Sequence, residues 1–321
     1  MDQMRAFWNR LVRWSAPLFP DQVIFARKIT VGAQLALLVG FAVLFAAGAG
    51  LYHANGFLGF DWVNVFSKGL LPPFYPPWDA YVIHWLTWPA LIGLTLAATC
   101  LAILKRSRHP LSLALALLTL PLFWTLFLGQ LEGLVVLGLL GLPWLAPLAL
   151  LKPQVSLFAF GARRSYVLGL FIFLAVSLLI WGLWPARMLS ANTYYAEGRY
   201  VQDISLGWWG AVVALPLLWL SRGDMDMLML AGTFMTPHLI PYNLLPVVPA
   251  IARLRPGAAA LVTLFSWLPL TANWLGPGGW WLGWVFVGFL WLSLAADRYP
   301  GWWIAARSVL AKKTSAQYAD H

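Results

Sequence analysis

Residues 31–51 read VGAQLALLVGFAVLFAAGAGL, a run without a single charged side chain. A helix needs about 20 apolar residues to cross the roughly 30 Å hydrocarbon core of a bilayer, and this run is that long. Its backbone polar groups have no partner in lipid except one another, so the run must be helical.

Comparable runs recur as far as residue 296. Hydrophobic residues make up 61% of the 321 positions and charged residues 10%. A soluble domain carries about 25% charged residues, so the chain takes lipid as its main solvent. Residues 1–30 are polar and basic and the first apolar run is full length, so no cleavable signal peptide is expected. Single-pass anchors, secreted enzymes and nucleic-acid binders are excluded. Many of the 21 tryptophans sit near run ends, as in an interfacial aromatic belt. The single cysteine, Cys100, permits neither an internal disulfide nor a cysteine-based metal site.

The net charge of +10 belongs to the ends of the apolar runs. Arg5, Arg10, Arg13, Arg27 and Lys28 precede the first run. Further clusters follow at Lys105, Arg106 and Arg108, at Arg163 and Arg164, at Arg222, at Arg253 and Arg255, and from Arg298 to Lys313. Placing them on one side puts 17 of the 21 Lys and Arg there and leaves Lys68, Lys152, Arg187 and Arg199 on or near the other. The positive-inside rule then predicts both termini in the cytoplasm. The organisation that follows is a basic cytoplasmic segment at 1–29, a transmembrane domain at 30–297 with external loops at 52–80 and 185–206, and a basic cytoplasmic tail at 298–321.

Within the membrane domain the expected spans are 31–51, 81–104, 111–128, 166–184, 206–220, 258–275 and 281–295. The last two are joined by a tight GPGG turn at 276–279. Residues 131–162 do not fit one straight helix, because Pro143, Pro147, Pro153 and Lys152 interrupt them. A short hairpin with a third segment, or a strongly broken helix, is expected. A second break lies in MLMLAGTFMTPHLIPYNLLPVVPAI (227–251), whose halves meet at residues 236–243. Such backbone is tolerated in a membrane only when buried in protein or lining a wet cavity. The fold class is therefore all-α, a polytopic membrane helix bundle of about ten to twelve transmembrane or re-entrant helices. No repeat of 20–50 residues is visible.

Ionisable groups are few, and a charge at membrane depth costs roughly 2.5–3.5 kcal/mol, so each needs a partner or a wet cavity. Glu132, Lys152 and His238 are the deepest. With Asp61, Asp79, Glu197 and Asp203 they predict one polar cavity at the outer-leaflet level.

Five stretches, FDWVNVF (60–66), PPFYPPW (72–78), LGQLEGL (128–134), LKPQ (151–154) and TPHLIPY (236–242), together resemble one family. It is the bacterial mannosyltransferase-like group of polyprenyl-phosphate-sugar-dependent glycosyltransferases of the GT-C fold, and the resemblance runs over roughly residues 30–255. Its members have an acid in the first external loop and an aromatic-Pro-Pro motif entering the second span. A Gly-Gln pair, a Lys-Pro pair and a late His in a Pro-rich turn follow. The resemblance implies transfer of a hexose from a polyprenyl-phosphate donor to an acceptor hydroxyl at the outer face of the bacterial cytoplasmic membrane. Asp61 would then be the catalytic base, since the attacking hydroxyl must lose its proton to a group within hydrogen-bond reach. Lys152 would contact the phosphate, where negative charge develops. His238 would lie near donor or acceptor, Gln130 would bind the sugar or hold the loop, and Tyr75, Pro76 and Pro77 would shape the loop beneath the sugar. Arg187 and Arg199 are anion contacts from position alone. No cofactor is implied beyond the lipid-linked co-substrate, and no phosphate-cradling Gly-rich loop points to a nucleotide.

Structural roles stand beside these. Asp61 also reads as a solvated loop acid, with Asp79 as a second candidate base. Lys152 also reads as a snorkelling residue or a partner for Glu132, and His238 as a donor to freed carbonyls. His84 lies among Trp78, Trp85 and Trp88 as an interfacial residue, and no metal-binding spacing such as HExxH occurs. A transporter of a lipid-linked substrate and a non-catalytic accessory subunit of a membrane complex remain open. An enzyme needs Asp61, Lys152 and His238 around one cavity, and a transporter needs a polar path through the bundle.

Overall fold

In a computed structural model, which describes residues 29–69, 71, 75–196 and 201–301, the first apolar run forms the helix Val31–Ala49. Its start is set by Thr30, whose hydroxyl accepts from the Ala33 N–H at 3.3 Å. The helix lies along Trp88–Arg106, an equally long helix opened by Thr87 as N-cap with Pro89 in its first turn. Gly93 permits the contact, because a Cβ there would lie 2.6 Å from the Ala42 carbonyl oxygen. Lys105 ends the pairing by donating to Gln34 Oε1 at 3.0 Å.

All regular structure among the described residues is helical, and the protein is an all-α membrane helix bundle. Four helical segments are long and apolar enough to cross a bilayer, or five if Pro110–Ala116 and Leu120–Leu128, bent by 42°, count as one. Two of the three longest apolar helices are peripheral, while Trp88–Arg106 is 61% buried. None of Val31–Ala49 and only 11% of Arg164–Trp181 is buried inside the protein. The interior is made of shorter pieces: Glu132–Leu140, Met225–Thr233 with every residue buried, and the 3-10 segment Pro241–Arg253. A long uninterrupted helix satisfies its own backbone and tolerates lipid, whereas broken backbone needs protein around it.

Several expected elements are corrected. Residues 81–104 are not one span: a short helix Asp79–His84 stops before Trp88–Arg106, because Pro89 has no N–H to return to the Trp85 carbonyl. The 111–128 span is likewise bent ahead of Pro121, and the groups freed there find partners. Leu120 N–H donates to Ser266 Oγ at 3.2 Å, and the Trp267 indole donates to the Leu118 carbonyl at 2.8 Å. Residues 185–206 are not all loop, since Trp184–Ala196 is helical. Its Ala, Arg, Met and Leu favour a helix, and Pro185 fits the first turn.

The two expected breaks are present. Glu132–Leu140 turns back through Ala146–Ala149, and the chain continues as Pro153–Ser156 and Leu157–Ala162. Trp78 holds this hairpin from outside by donating its indole N–H to the Pro147 carbonyl at 3.0 Å. Met225–Thr233 packs on Leu157–Ala162, and Pro241–Arg253 runs on as 3-10 helix because Pro246 and Pro249 remove donors from any α-helical ladder. The GPGG residues lie in the 3-10 segment Gly276–Leu282, which reverses the chain so that Gly283–Arg298 packs on Pro256–Ser266.

One end of the bundle is closed by charge. Arg106 grips Asp226 at 2.9–3.1 Å, and Arg253 donates to both Asp224 and Asp226 at 2.6–2.9 Å. Arg106 and Arg253, read from sequence as orienting charges, are thus also the bonds that tie Met225–Thr233 to its neighbours.

Candidate functional site

The polar groups at the other end assemble around Gln130. The Leu120–Leu128 helix stops at Gly129, whose φ of +75° is left-handed. A Cβ at Gly129 would meet Trp62 and Trp88 at 2.8 Å, so glycine is required both for the turn and for the close approach. The turn sends Gln130 inward. Asp61 is brought to it by the preceding loop, because Gly59 N–H donates to the Phe127 carbonyl at 2.7 Å and pins that loop to the helix end.

Gln130 donates its amide to Asp61 Oδ2 and accepts from Lys152 Nζ. This is the one amide orientation that serves both a carboxylate and an ammonium. Lys152 also donates to Glu132 Oε1 at 2.8 Å, and Asn243 Nδ2 donates to the same oxygen at 2.8 Å. Asn243 in turn accepts from Ile240 N–H at 2.9 Å. A single relay therefore runs from Asp61 through Gln130, Lys152 and Glu132 to Asn243. The Lys152 ammonium lies 4.7 Å from the Tyr242 ring centroid and 5.6 Å from that of Tyr75, within cation–π range. Lys152 is placed by its extended backbone ahead of Pro153.

Tyr75, Lys152, Gln154, His238, Tyr242 and Asn243 line a narrow cleft of about 20 Å³, room for a water molecule or two. His238 Nδ1 is 2.8 Å from Asp203 Oδ2, while Asp203 Oδ1 accepts from the N–H groups of Ser205 and Leu239 at 2.9 and 3.1 Å. Burial acts to raise the Asp203 pKa, but the bonds from His238 and the two backbone N–H groups outweigh it and hold the carboxyl at about 2. Asp61 is half-buried, and that burial raises its pKa against the opposing pull of Lys152 and Gln130.

Of the residues singled out from the sequence, Asp61, Gln130 and Lys152 are directly linked, and Tyr75 and His238 share the cleft with Lys152. Asp61 itself is not a lining residue and reaches the cleft only through Gln130 and Lys152. Arg187 is exposed and donates to the Trp181 carbonyl at 2.7 Å, where it caps Arg164–Trp181. Arg199 and Glu197 lie outside the described residues. Tyr242 and Asn243, one and two positions after Pro241 of TPHLIPY, were not singled out as site residues, nor was the pairing of Asp203 with His238.

Asp79 is 0% exposed, and both its carboxylate oxygens lack a hydrogen-bond partner among the described residues. Burial drives its pKa well above the ordinary value, only partly opposed by Lys152. Glu132 Oε2 and Gln154 Oε1 are likewise buried acceptors without a donor among the described residues. Among those residues no group of three His, Cys, Asp or Glu side chains converges to hold a metal ion.

Comparison with protein-family models, curated proteins and solved structures finds no match to this chain.

Proposed function

We propose that the protein is a membrane glycosyltransferase that moves a hexose from a polyprenyl-phosphate donor to an acceptor hydroxyl. What supports this reading is one observation: residues named from four separate sequence motifs come together at one end of the bundle, with Asp61, Gln130 and Lys152 directly linked and Lys152 and His238 lining one cleft.

In this chemistry the acceptor oxygen bonds to the anomeric carbon as the bond from that carbon to the phosphate oxygen breaks. The polyprenyl phosphate leaves with the electron pair, and the hydroxyl proton passes to a protein base. Asp61, whose burial raises its pKa above the ordinary carboxylate value, is the base on this reading. Lys152, which lines the cleft, is the cation that contacts the leaving phosphate on this reading. On this reading the cleft faces the outside of the bacterial cytoplasmic membrane and both termini are cytoplasmic.

A second reading rests on Lys152 too. Its ammonium already serves Gln130 and Glu132, which is also how a purely structural lysine in a non-catalytic accessory subunit would be held. Mass spectrometry of envelope glycolipids and glycoproteins separates the two. A strain lacking the gene, the same strain complemented, and one carrying Asp61→Asn are compared. The transferase reading predicts a glycan that vanishes on deletion and returns only with the unaltered chain. No change in any glycan on deletion overturns it.

A further inference from the structure

We propose that Gln130 is the positioning residue of Asp61: its amide holds one carboxylate oxygen and leaves the other to take the proton of the acceptor hydroxyl, and Lys152 sets which way the amide points. The proposal rests on the transferase reading for the reaction, while the bonding that carries it does not.

Gln130 is fixed at both ends. Its backbone N–H donates to the Thr125 carbonyl at 3.0 Å, next to the left-handed turn at Gly129. Its side-chain amide donates to Asp61 Oδ2 and accepts from Lys152 Nζ. An ammonium has only donors and an ionised carboxylate only acceptors. Turned over, the amide would set its N–H groups against the ammonium and its oxygen against the carboxylate, and both bonds would be lost. Lys152 is itself held by Glu132 at 2.8 Å, and Glu132 by Asn243 at 2.8 Å. The direction of the amide is therefore dictated from the interior towards Asp61.

Two observations assign the amide to Asp61 and not to a bound sugar. Gln130 is 3% exposed, which leaves it no face for a ligand. Asp61 Oδ1, in contrast, has no hydrogen-bond partner among the described residues and is not sealed off as the Asp79 oxygens are. A carboxylate with one oxygen bound and the other open is a base with a fixed aim. Asp61 does not line the narrow cleft, so the acceptor hydroxyl reaches Oδ1 without passing through it. The step balances: the O–H bond breaks, its proton goes to Oδ1, the oxygen bonds to the anomeric carbon, and the phosphate departs with the electron pair of the broken bond. The Gln130 N–H stays on Oδ2 throughout.

The test uses the full chain in lipid nanodiscs with 13C-labelled aspartate, and Asp61→Asn assigns the signal. Gln130→Glu keeps the size and an acceptor for Lys152 but replaces the donor to Asp61 with an acceptor, whereas Gln130→Met removes both. Among the described residues, the ionisable groups that interact electrostatically with Asp61 are Lys152 and Tyr75, and the variants keep both. A donor on Oδ2 favours the ionised carboxylate, so its loss raises the pH at which Asp61 titrates. The rise should be about one unit in Gln130→Met. It should be about one to three units in Gln130→Glu, where a like charge takes the donor's place. In the complemented strains both variants should lower glycan output by about 100-fold, as a misaligned catalytic group does. If Gln130 serves only to hold Lys152, Gln130→Glu leaves titration and output unaltered, and that result overturns the proposal. In the unaltered chain the 15N signal of the Gln130 amide should follow the Asp61 titration and lose that dependence in Asp61→Asn. An amide signal indifferent to Asp61 overturns the proposal whatever the stability of the variants. A raised titration combined with no glycan change on gene deletion supports the direction of the amide, and what falls is the transferase reading with the proton step that depends on it.

Discussion

Lys152 and Glu132 stand 20 positions apart and meet across 2.8 Å in the interior, at 6% and 1% exposure. Neither charge has water to fall back on. Removing one partner strands the other, so Lys152→Met or Glu132→Leu alone should cost about 3–5 kcal/mol, whereas the double replacement should cost much less than the sum. Thermal unfolding in detergent, run as a double-mutant cycle, measures this. Additive losses would contradict the pairing.

Asp79 predicts a stabilising substitution. Its folded pKa lies well above the ordinary 3.8, so the folded state holds the proton more tightly than the unfolded chain does. Its contribution to stability is greatest at low pH and falls as pH rises from about 4 through the raised folded value. Asp79→Asn removes that loss and should raise the melting temperature at pH 7 while leaving it little changed at pH 4. A fall at pH 7 would mean the carboxylate has a partner worth keeping.

Asp203 predicts the opposite slope. Its folded pKa of about 2 lies below the ordinary 3.8, so its contribution is fully present above pH 4 and is lost as pH falls toward 2. The difference corresponds to roughly 2 kcal/mol. Melting curves between pH 5 and pH 3 should show a drop that Asp203→Asn flattens. An unchanged slope would remove the carboxylate from the account.

At the far end, Asp226 is 0% exposed and is held by Arg106 and Arg253 together. Asp226→Asn removes the carboxylate shared by the buried Arg106 and the partly buried Arg253 and should destabilise by about 3–5 kcal/mol. Asp61→Asn, on a half-buried loop acid, should change the melting temperature far less. Equal losses from the two would mean that Asp61 carries as much of the fold as Asp226.

Membrane class and both broken regions were legible in the sequence, because apolar run length and proline position act locally. The breaks before Trp88 and at Leu117–Thr119 were less so. Each is set by a proline whose missing donor matters one turn earlier, at a residue that looks ordinary in the sequence. Residues 185–196 were misjudged from polarity when their propensity was helical. In the site, Gln130 and Lys152 stood out as polar groups at depth. Asn243 and Tyr242 did not, because their importance comes from Glu132 and Lys152, more than 80 positions away. Asp203 was visible as an acid, but its histidine partner depends on how two distant turns are laid side by side.

The Trp88–Arg106 helix is a spine with unlike fastenings. At the Arg106 foot, two arginines and two aspartates are cross-riveted, so loss of any one contact leaves others closed. At the Trp88 head, one ammonium is the pin that joins the Pro153 segment to Gln130 and Glu132. Mechanically the two ends differ: the base is cross-riveted, and at the head Lys152 is the pin shared by several links.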